Sequence, residues 1–297
     1  MASHINRSAE FACSIKALSE VLSVLSLSRF KTVARSFSLP VALFMLSAPS
    51  GHAASPSETV SFEALTWTEI QARIHGGTDT IIVPVGGTEQ SGPYIAVGKH
   101  NRRAQAQAER IAERLGHALV APVIAYVPEG GTSPRSSHMR FAGTISIPPA
   151  VFQGVIEGAG ESFHVQGFRR VVFIADHGGY LSYLKAAVEK LNNKWRGQGE
   201  AVYLAAYYDS IGGAFAAYLR QKGYGAALGK HADLSDTALM LAIDPGMVRE
   251  DALRRAPLPG VAQGVYGGDP RPATAALGQV GTEIQVQAAL DALGKAR

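Results

Sequence analysis

The chain is short of cysteine, tryptophan and charge. Its 297 residues include one cysteine and two tryptophans, and only 18% are Asp, Glu, Lys or Arg. The cysteine, Cys13, lies early in the sequence, so a mature chain starting after Ala53 has none. That excludes disulfides, thiolate nucleophiles and Cys-ligated zinc. Low charge together with 46% hydrophobic residues excludes a disordered or low-complexity chain. A basic stripe is missing too. The formal net charge is +4, of which residues 1–53 carry +3 and the remaining 244 carry +1. A near-neutral body gives no electrostatic footing for nucleic acid. No apolar run approaches the roughly 20 residues that a bilayer-spanning helix needs, and no internal repeat is present.

What is present begins with an address. Arg29, Lys31 and Arg35 precede an apolar run from Phe37 to Leu46, and small residues follow as far as Ala54. A positive flank, a short apolar stretch and small residues at −3 and −1, here Gly51 and Ala53, describe a secretory signal. Cleavage after Ala53 is expected, with the product periplasmic or secreted and free of the membrane. Residues 1–28 are longer than a signal needs before its charged flank. They read either as lying upstream of the true start or as an extension without a structural role. Residues 54–297 then form one domain.

That domain alternates strands and helices. Apolar, β-branched runs predict strands at Thr80–Val85, Ala118–Ala125, Thr144–Ile147, Arg170–Ala175 and Ala201–Ala206. Helical spacing predicts helices at Thr66–Ile74, Asn101–Leu115, Pro148–Gln166, Leu181–Arg196, Ala214–Lys222, Ser235–Ile243 and Thr282–Lys295. Unbroken apolar strands separated by helices imply an α/β fold with a mostly parallel central sheet covered on both faces.

In such sheets ligands bind beyond the carboxyl ends of the strands. Three polar clusters fall there or at helix N-termini: Gly86–Asn101, Asp176–Tyr180 and His231–Thr237. They supply Glu89, His100, His177, His231 and Asp236, a set of imidazoles and carboxylates that suits zinc, manganese or iron. Other features read blandly. Trp67 and Trp195 are expected to pack in helices, Arg102-Arg103 to be a solvated helix face, and Gly264–Pro270 to be a surface or interface turn. Lys99 reads equally as a solvated loop lysine or as positive charge beside a substrate.

At these clusters the sequence resembles the creatininase (creatinine amidohydrolase) family. Four ordered blocks carry the resemblance: Pro84-Val85-Gly86-Gly87-Thr88-Glu89-Gln90-Ser91-Gly92-Pro93-Tyr94, Ser137-His138-Met139-Arg140-Phe141-Ala142-Gly143-Thr144, Asp176-His177-Gly178-Gly179-Tyr180 and His231-Ala232-Asp233-Leu234-Ser235-Asp236-Thr237. The resemblance implies a three-layer α/β/α sandwich, a homo-oligomer (a hexamer in the family) and a paired-metal site. It also associates His231 with proton transfer. Four positions depart from the family pattern, Asp236 being a shorter carboxylate where a Glu belongs. Ser91 and Tyr94 stand where histidines belong, and His100 replaces the bridging Asp. An imidazole offers one lone pair and bridges two ions poorly, so one divalent metal per subunit is expected, held by Glu89, His100, His177 and Asp236. Glu89 and His231 are then the expected catalytic residues, and Ser91, Tyr94, Lys99 and His138 the expected substrate contacts. The functional expectation is metal-dependent hydrolysis of a C–N bond in a small, possibly cyclic, amide by activated water. The alternative is an exported relative that binds a small molecule without catalysis.

Overall fold

The structure, a computed structural model, describes residues 59–295; the expected extension and signal, over residues 1–53, lie outside the described residues. Four parallel strands, β1 (Thr80–Val85), β2 (Ala118–Val120), β3 (Arg170–Ala175) and β4 (Glu200–Tyr203), form one sheet in the order β2-β1-β3-β4. Thr80 pairs with Ala118 on one side and Arg170 on the other, and Val85 pairs with Ala175. Central β1 is buried along its whole length, as its β-branched sequence Thr-Ile-Ile-Val-Pro-Val requires of a strand covered twice.

Alternation along the strands separates two cores. Ile81, Val83, Val85, Val171, Phe173 and Ala175 face α3 (Pro149–Gln166) and α4 (Leu181–Trp195), meeting Phe152, Ile156, Leu184 and Leu191. Ile82, Val172 and Ile174 face the other way. They pack on α2 (Lys99–Leu115) and α9 (Ala275–Lys295) through Ala108, Ile111, Val286 and Ala289. This is the expected three-layer α/β/α sandwich. A further apolar cluster gathers Leu234, Ala238 and Leu239 of α7 (Leu234–Ile243) with Phe215, Leu219 and Leu253 of α8 (Glu250–Arg255). No helix among the described residues is long and apolar enough to cross a membrane.

The differences from the sequence reading have local causes. The strand expected over Ala118–Ala125 stops at Val120, because Pro122 has no N–H to give a ladder; Ile124 alone bridges back to Val85. Residues 144–147 form no strand. Ile145 and Ile147 each donate one backbone hydrogen bond to a neighbouring loop, at Thr88 and Val127. The helix expected over Ala214–Lys222 begins earlier, as α5 (Ala205–Ser210), passes through a π turn over Ile211–Phe215, and ends as α6 (Ala216–Gln221). Helix α9 also starts early, at Ala275. Gly278 and Gly281 mask it in the sequence, yet both are needed, since a Cβ at either would collide with Ala238 or with Phe215 and Leu239. Trp195 packs as expected, with its Nε1 donating to Glu161 at 2.9 Å. Trp67 does not: at 74% exposure it lies on the surface of α1 (Trp67–His75).

Candidate metal centre

Beyond the carboxyl edge of the sheet, four side chains turn toward one point. Glu89 hangs from the loop after β1, fixed by its N–H on the Val97 carbonyl at 3.1 Å, and is fully buried. Glu129 follows Pro128 in the loop after β2, its N–H donating to Ser146 Oγ at 2.9 Å. His138 sits on a 3-10 turn over Ser137–Arg140. His177 comes one residue after Asp176 at the end of β3, and Gly179 leaves room for its ring, which a Cβ there would strike. Glu89 Oε2 lies 3.3 Å from Nε2 of both His138 and His177, and His177 Nδ1 lies 3.4 Å from Glu129 Oε1. One ligand atom from each of the four falls within 4.8 Å of the others.

The electrostatics of this group fit a cation. Glu89 Oε2 and both Glu129 oxygens are buried and find no hydrogen-bond donor among the described residues. Such groups are costly unless something positive completes them. Burial pushes Glu129 up to about 9, helped by the Glu89 carboxylate beside it. Burial opposes ionisation of Glu89 as well, but His100, His177 and Lys99 hold it well below the usual carboxylate range. Burial drives His177 down to about 4 and also lowers His138. Neutral imidazoles keep the lone pair that a metal needs.

A second group surrounds the first and is saturated. Lys99 opens α2 with its ammonium fully buried, 2.9 Å from Asp236 Oδ2 and 3.6 Å from Glu89 Oε1. One turn later Arg103, only 1% exposed, reaches Asp176 and Asp236 at 2.8 Å each. His100 sets its two ring nitrogens 2.7 Å from Glu89 Oε1 and Asp176 Oδ2. Asp236 also accepts the Ala232 N–H at 2.8 Å, and Tyr207 donates to Asp176 at 3.0 Å. The solvated reading of Arg102-Arg103 therefore holds for Arg102 alone, which is exposed and pairs with Asp244 at 3.0 Å. Nor is Lys99 a solvated loop residue.

The gathered four thus differ from the expected ligands at two positions. Glu89 and His177 are in the group. His100 stands behind Glu89, with both nitrogens against carboxylates, and Asp236 stands apart on Lys99 and Arg103. Glu129 and His138 complete the group instead. Nothing in the sequence singled out Glu129, although a lone acid ahead of Gly130-Gly131 just past a strand was a usable signal. Among the expected substrate contacts, Ser91 is buried and Tyr94 packs against the α7 cluster. Neither they nor Lys99 line the two cavities that open beside the group.

The expected proton carrier lies close by. His231 Nε2 donates to the Gln90 carbonyl at 2.8 Å, leaving Nδ1 as the basic nitrogen, 3.4 Å from Glu89 Oε1. Burial and the Lys99 charge push His231 down to about 3. Gln90, which the sequence reading passed over, ties the parts together, its side-chain amide nitrogen lying 3.0 Å from His138 Nδ1 and 3.2 Å from His231 Nε2. The glycine-rich turn at 264–270, expected at the surface or an interface, is exposed at Gly267 but reaches inward at its start. Its Val265 is buried, and the Tyr266 N–H donates to the His231 carbonyl at 3.0 Å, holding that loop in place.

Residues 63–293 match the family model for creatininase, described as creatinine amidohydrolase. The chain belongs to the creatininase family. Members of this family are metal-dependent amidohydrolases, and curated relatives carry hydrolase and peptidase names. A mycofactocin precursor peptide peptidase from Mycobacterium tuberculosis is 33% identical over 67% of this chain and 78% of its own length. The one from Mycolicibacterium smegmatis is also 33% identical, over 47% of this chain, which spans 56% of that relative. Creatinine amidohydrolase of Pseudomonas putida is 28% identical over 66% and 76%. The crystal structure of a creatininase superposes with a TM-score of 0.67 at 24% identity, covering 80% of this chain and 98% of the other. Creatininase structures of the same fold include a Zn-Zn form and an Mn form. Within the creatininase fold, the centre described above occupies the carboxyl edge of the sheet, where α/β proteins bind ligands.

Proposed function

We propose that this creatininase relative is a one-metal hydrolase of amide C–N bonds, its ion held by Glu89, Glu129, His138 and His177. The observation that carries the reading is the three buried carboxylate oxygens without hydrogen-bond donors, facing two neutral imidazoles. Two nitrogens and two oxygens suit zinc or manganese, and also iron. A divalent ion there supplies Lewis acidity to the amide carbonyl and lowers the pKa of water. The chain's own residues do the rest. His231 Nδ1, unprotonated at neutral pH, takes a proton and delivers it to the leaving nitrogen. Gln90 orients both His138 and His231. His100 fixes the inner oxygen of Glu89 and leaves the outer one free.

The count of one follows from charge. In the saturated group the Lys99 ammonium and Arg103 guanidinium already neutralise Asp236 and Asp176, so a second divalent ion there would meet fixed positive charge. Export rests on the Arg29–Ala53 pattern and oligomerisation on the family resemblance. Both belong to the same proposal.

Elemental analysis of protein purified without chelator, paired with turnover of simple amides, tests the reading. About one zinc, manganese or iron per chain with measurable hydrolysis is expected. Two tightly held ions would overturn the one-metal assignment. No ion, and no thermal stabilisation on adding zinc or manganese, would favour a binding protein that has lost catalysis.

A further inference from the structure

Helix α5 carries two adjacent tyrosines whose hydroxyls are treated differently. Tyr207 is fully buried and donates to Asp176 Oδ1 at 3.0 Å, inside the saturated group. Tyr208 comes roughly 100° further round the helix. It lines a cavity of about 540 Å³ together with His138, His177 and His231. Its ring packs at the edge of the α2/α9 core, a task that phenylalanine would do as well. Its hydroxyl has no hydrogen-bond partner among the described residues. Packing therefore leaves that oxygen unexplained.

The hydroxyl is nonetheless held at a definite place. A Cβ on Gly178 would sit 2.5 Å from the Tyr208 oxygen and 3.3 Å from its Cζ. Glycine at 178 is what admits the hydroxyl. Because Gly178 directly follows His177, the oxygen stands at the edge of the four-residue group, in the cavity that His231 also lines. Its proton is secure. Burial, with Asp236 and Asp176 after it, raises Tyr208 to about 12, and Glu89 adds to the rise. At neutral pH the group is a donor.

Resting on the amide-hydrolase reading above, we infer that Tyr208 is a further catalytic residue, its hydroxyl donating a hydrogen bond to the amide oxygen as negative charge gathers there. A side-chain donor of this kind works by being fixed in place before the charge develops. Other groups around the cavity are less suited. Ser235 spends its hydroxyl on Asp233 at 2.6 Å. Arg220 and Lys230 are exposed, where water screens them. Tyr266 lays its ring against His138 and His231, with centroids 5.7 and 5.3 Å apart. In the step itself, the oxygen of water bonds the carbonyl carbon and the C–N bond breaks. The proton on the departing nitrogen arrives from that water through His231 Nδ1, leaving a carboxylic acid and an amine. Tyr208 keeps its own proton throughout.

The test uses the metal-loaded full chain, with 4-nitroacetanilide and 2-pyrrolidinone as amide probes. Tyr208→Phe removes only the hydroxyl. It should keep the ion and the denaturant midpoint, since no protein group bonds that oxygen. KM should stay within about threefold while kcat falls roughly 10²–10³-fold, the share of one such donor. Gly178→Ala should also keep the ion and lower kcat, by pushing the hydroxyl aside. In the double variant the two losses should not add, because the oxygen that the new methyl would strike is gone. Fully additive losses would overturn the placement of the hydroxyl at Gly178. Turnover of Tyr208→Phe within about twofold of the unaltered chain would overturn the inference and leave the amide-hydrolase reading standing. So would loss of the ion from Tyr208→Phe, which would make the tyrosine structural. If the unaltered chain holds its ion and cleaves neither amide, the amide-hydrolase reading itself fails, and the inference with it.

Discussion

Two groups of buried acids and bases lie side by side in this molecule, and they are solved differently. Around Asp176 and Asp236 every carboxylate oxygen has a donor, supplied by Lys99, His100, Arg103, Tyr207 or a backbone N–H. Around Glu89 and Glu129 three oxygens have none. The residue types are nearly the same, so composition does not separate a scaffold from a site. What separates them is whether the protein supplies its own cations. Where it does, the charges lock α2, β3 and α7 together. Where it withholds them, it leaves a place for an ion.

The sharpest way to break this comparison is to remove one member from each group and measure the ion. Glu129→Ala or His177→Ala should release the metal and abolish hydrolysis, measured by elemental analysis and turnover on the same preparations. Asp236→Asn should keep the ion. If Asp236→Asn loses metal as readily as His177→Ala, the boundary between the two groups is misplaced. His231→Ala falls between these cases: metal retained, turnover lowered by roughly 10²–10⁴, the usual share of a general acid or base.

Stability separates the groups in the opposite sense. Removing one partner of a buried charge pair strands the other, at a cost of about 3–5 kcal/mol. Asp236→Asn strands Lys99 and half of Arg103, so its denaturant midpoint should fall by that order. Adding Lys99→Met should restore part of the loss, because the stranded ammonium is then gone. Failure of the double variant to recover anything would mean that packing, and not charge, accounts for the cost.

A finer test follows from protons. In the metal-free chain Glu129 stays protonated up to about pH 9, because of burial and Glu89. Its folded pKa is raised, so the unfolded chain ionises first and stability from this group declines as pH rises from about 4.5 toward 9. His177 runs the other way. Its folded pKa of about 4 lies below the unfolded 6.5, so its contribution is complete above 6.5 and is lost as pH falls toward 4. An ion needs the Glu129 carboxylate ionised and the His177 imidazole neutral. Loading at pH 7 should therefore release about one proton, read from calorimetry in buffers of differing ionisation enthalpy. No release would place Glu129 outside the ligand set.

The sequence disclosed one of these groups better than the other, for physical reasons. β1 and β3 were legible because a doubly covered strand is an unbroken apolar run, and that placed Glu89 and His177 at the carboxyl edge. His231 was visible beside a helix start. Glu129 was hidden because an acid in a Pro- and Gly-rich loop ordinarily faces water, and only tertiary packing buries it. The Asp236 pairing was hidden for the complementary reason. Its partners Lys99 and Arg103 lie more than a hundred residues away, on a helix whose first turn looked like a solvated face. Gly278 and Gly281 concealed the start of α9, since close packing on α7 selects the residue that helix propensity disfavours.

The smallest expected effect makes the same comparison within one dipeptide. Arg102 and Arg103 are chemically identical neighbours on α2, pointing to opposite sides. Arg103 is buried between two aspartates, and its guanidinium pKa is raised, burial opposing the charge but Asp176 and Asp236 outweighing it. The Arg102 side chain is 59% exposed and meets Asp244 through water-screened contact. An exposed pair of this kind is worth about 0–1 kcal/mol. Arg102→Ala should therefore shift the denaturant midpoint barely at all, and less still in high salt, where the Debye length shortens. Arg103→Met should instead cost several kcal/mol, since two aspartates largely buried against it lose their guanidinium partner. If the two variants unfold alike, the saturated group is not what holds α2 to β3 and α7, and the contrast between the two charge groups would have to rest on the metal alone.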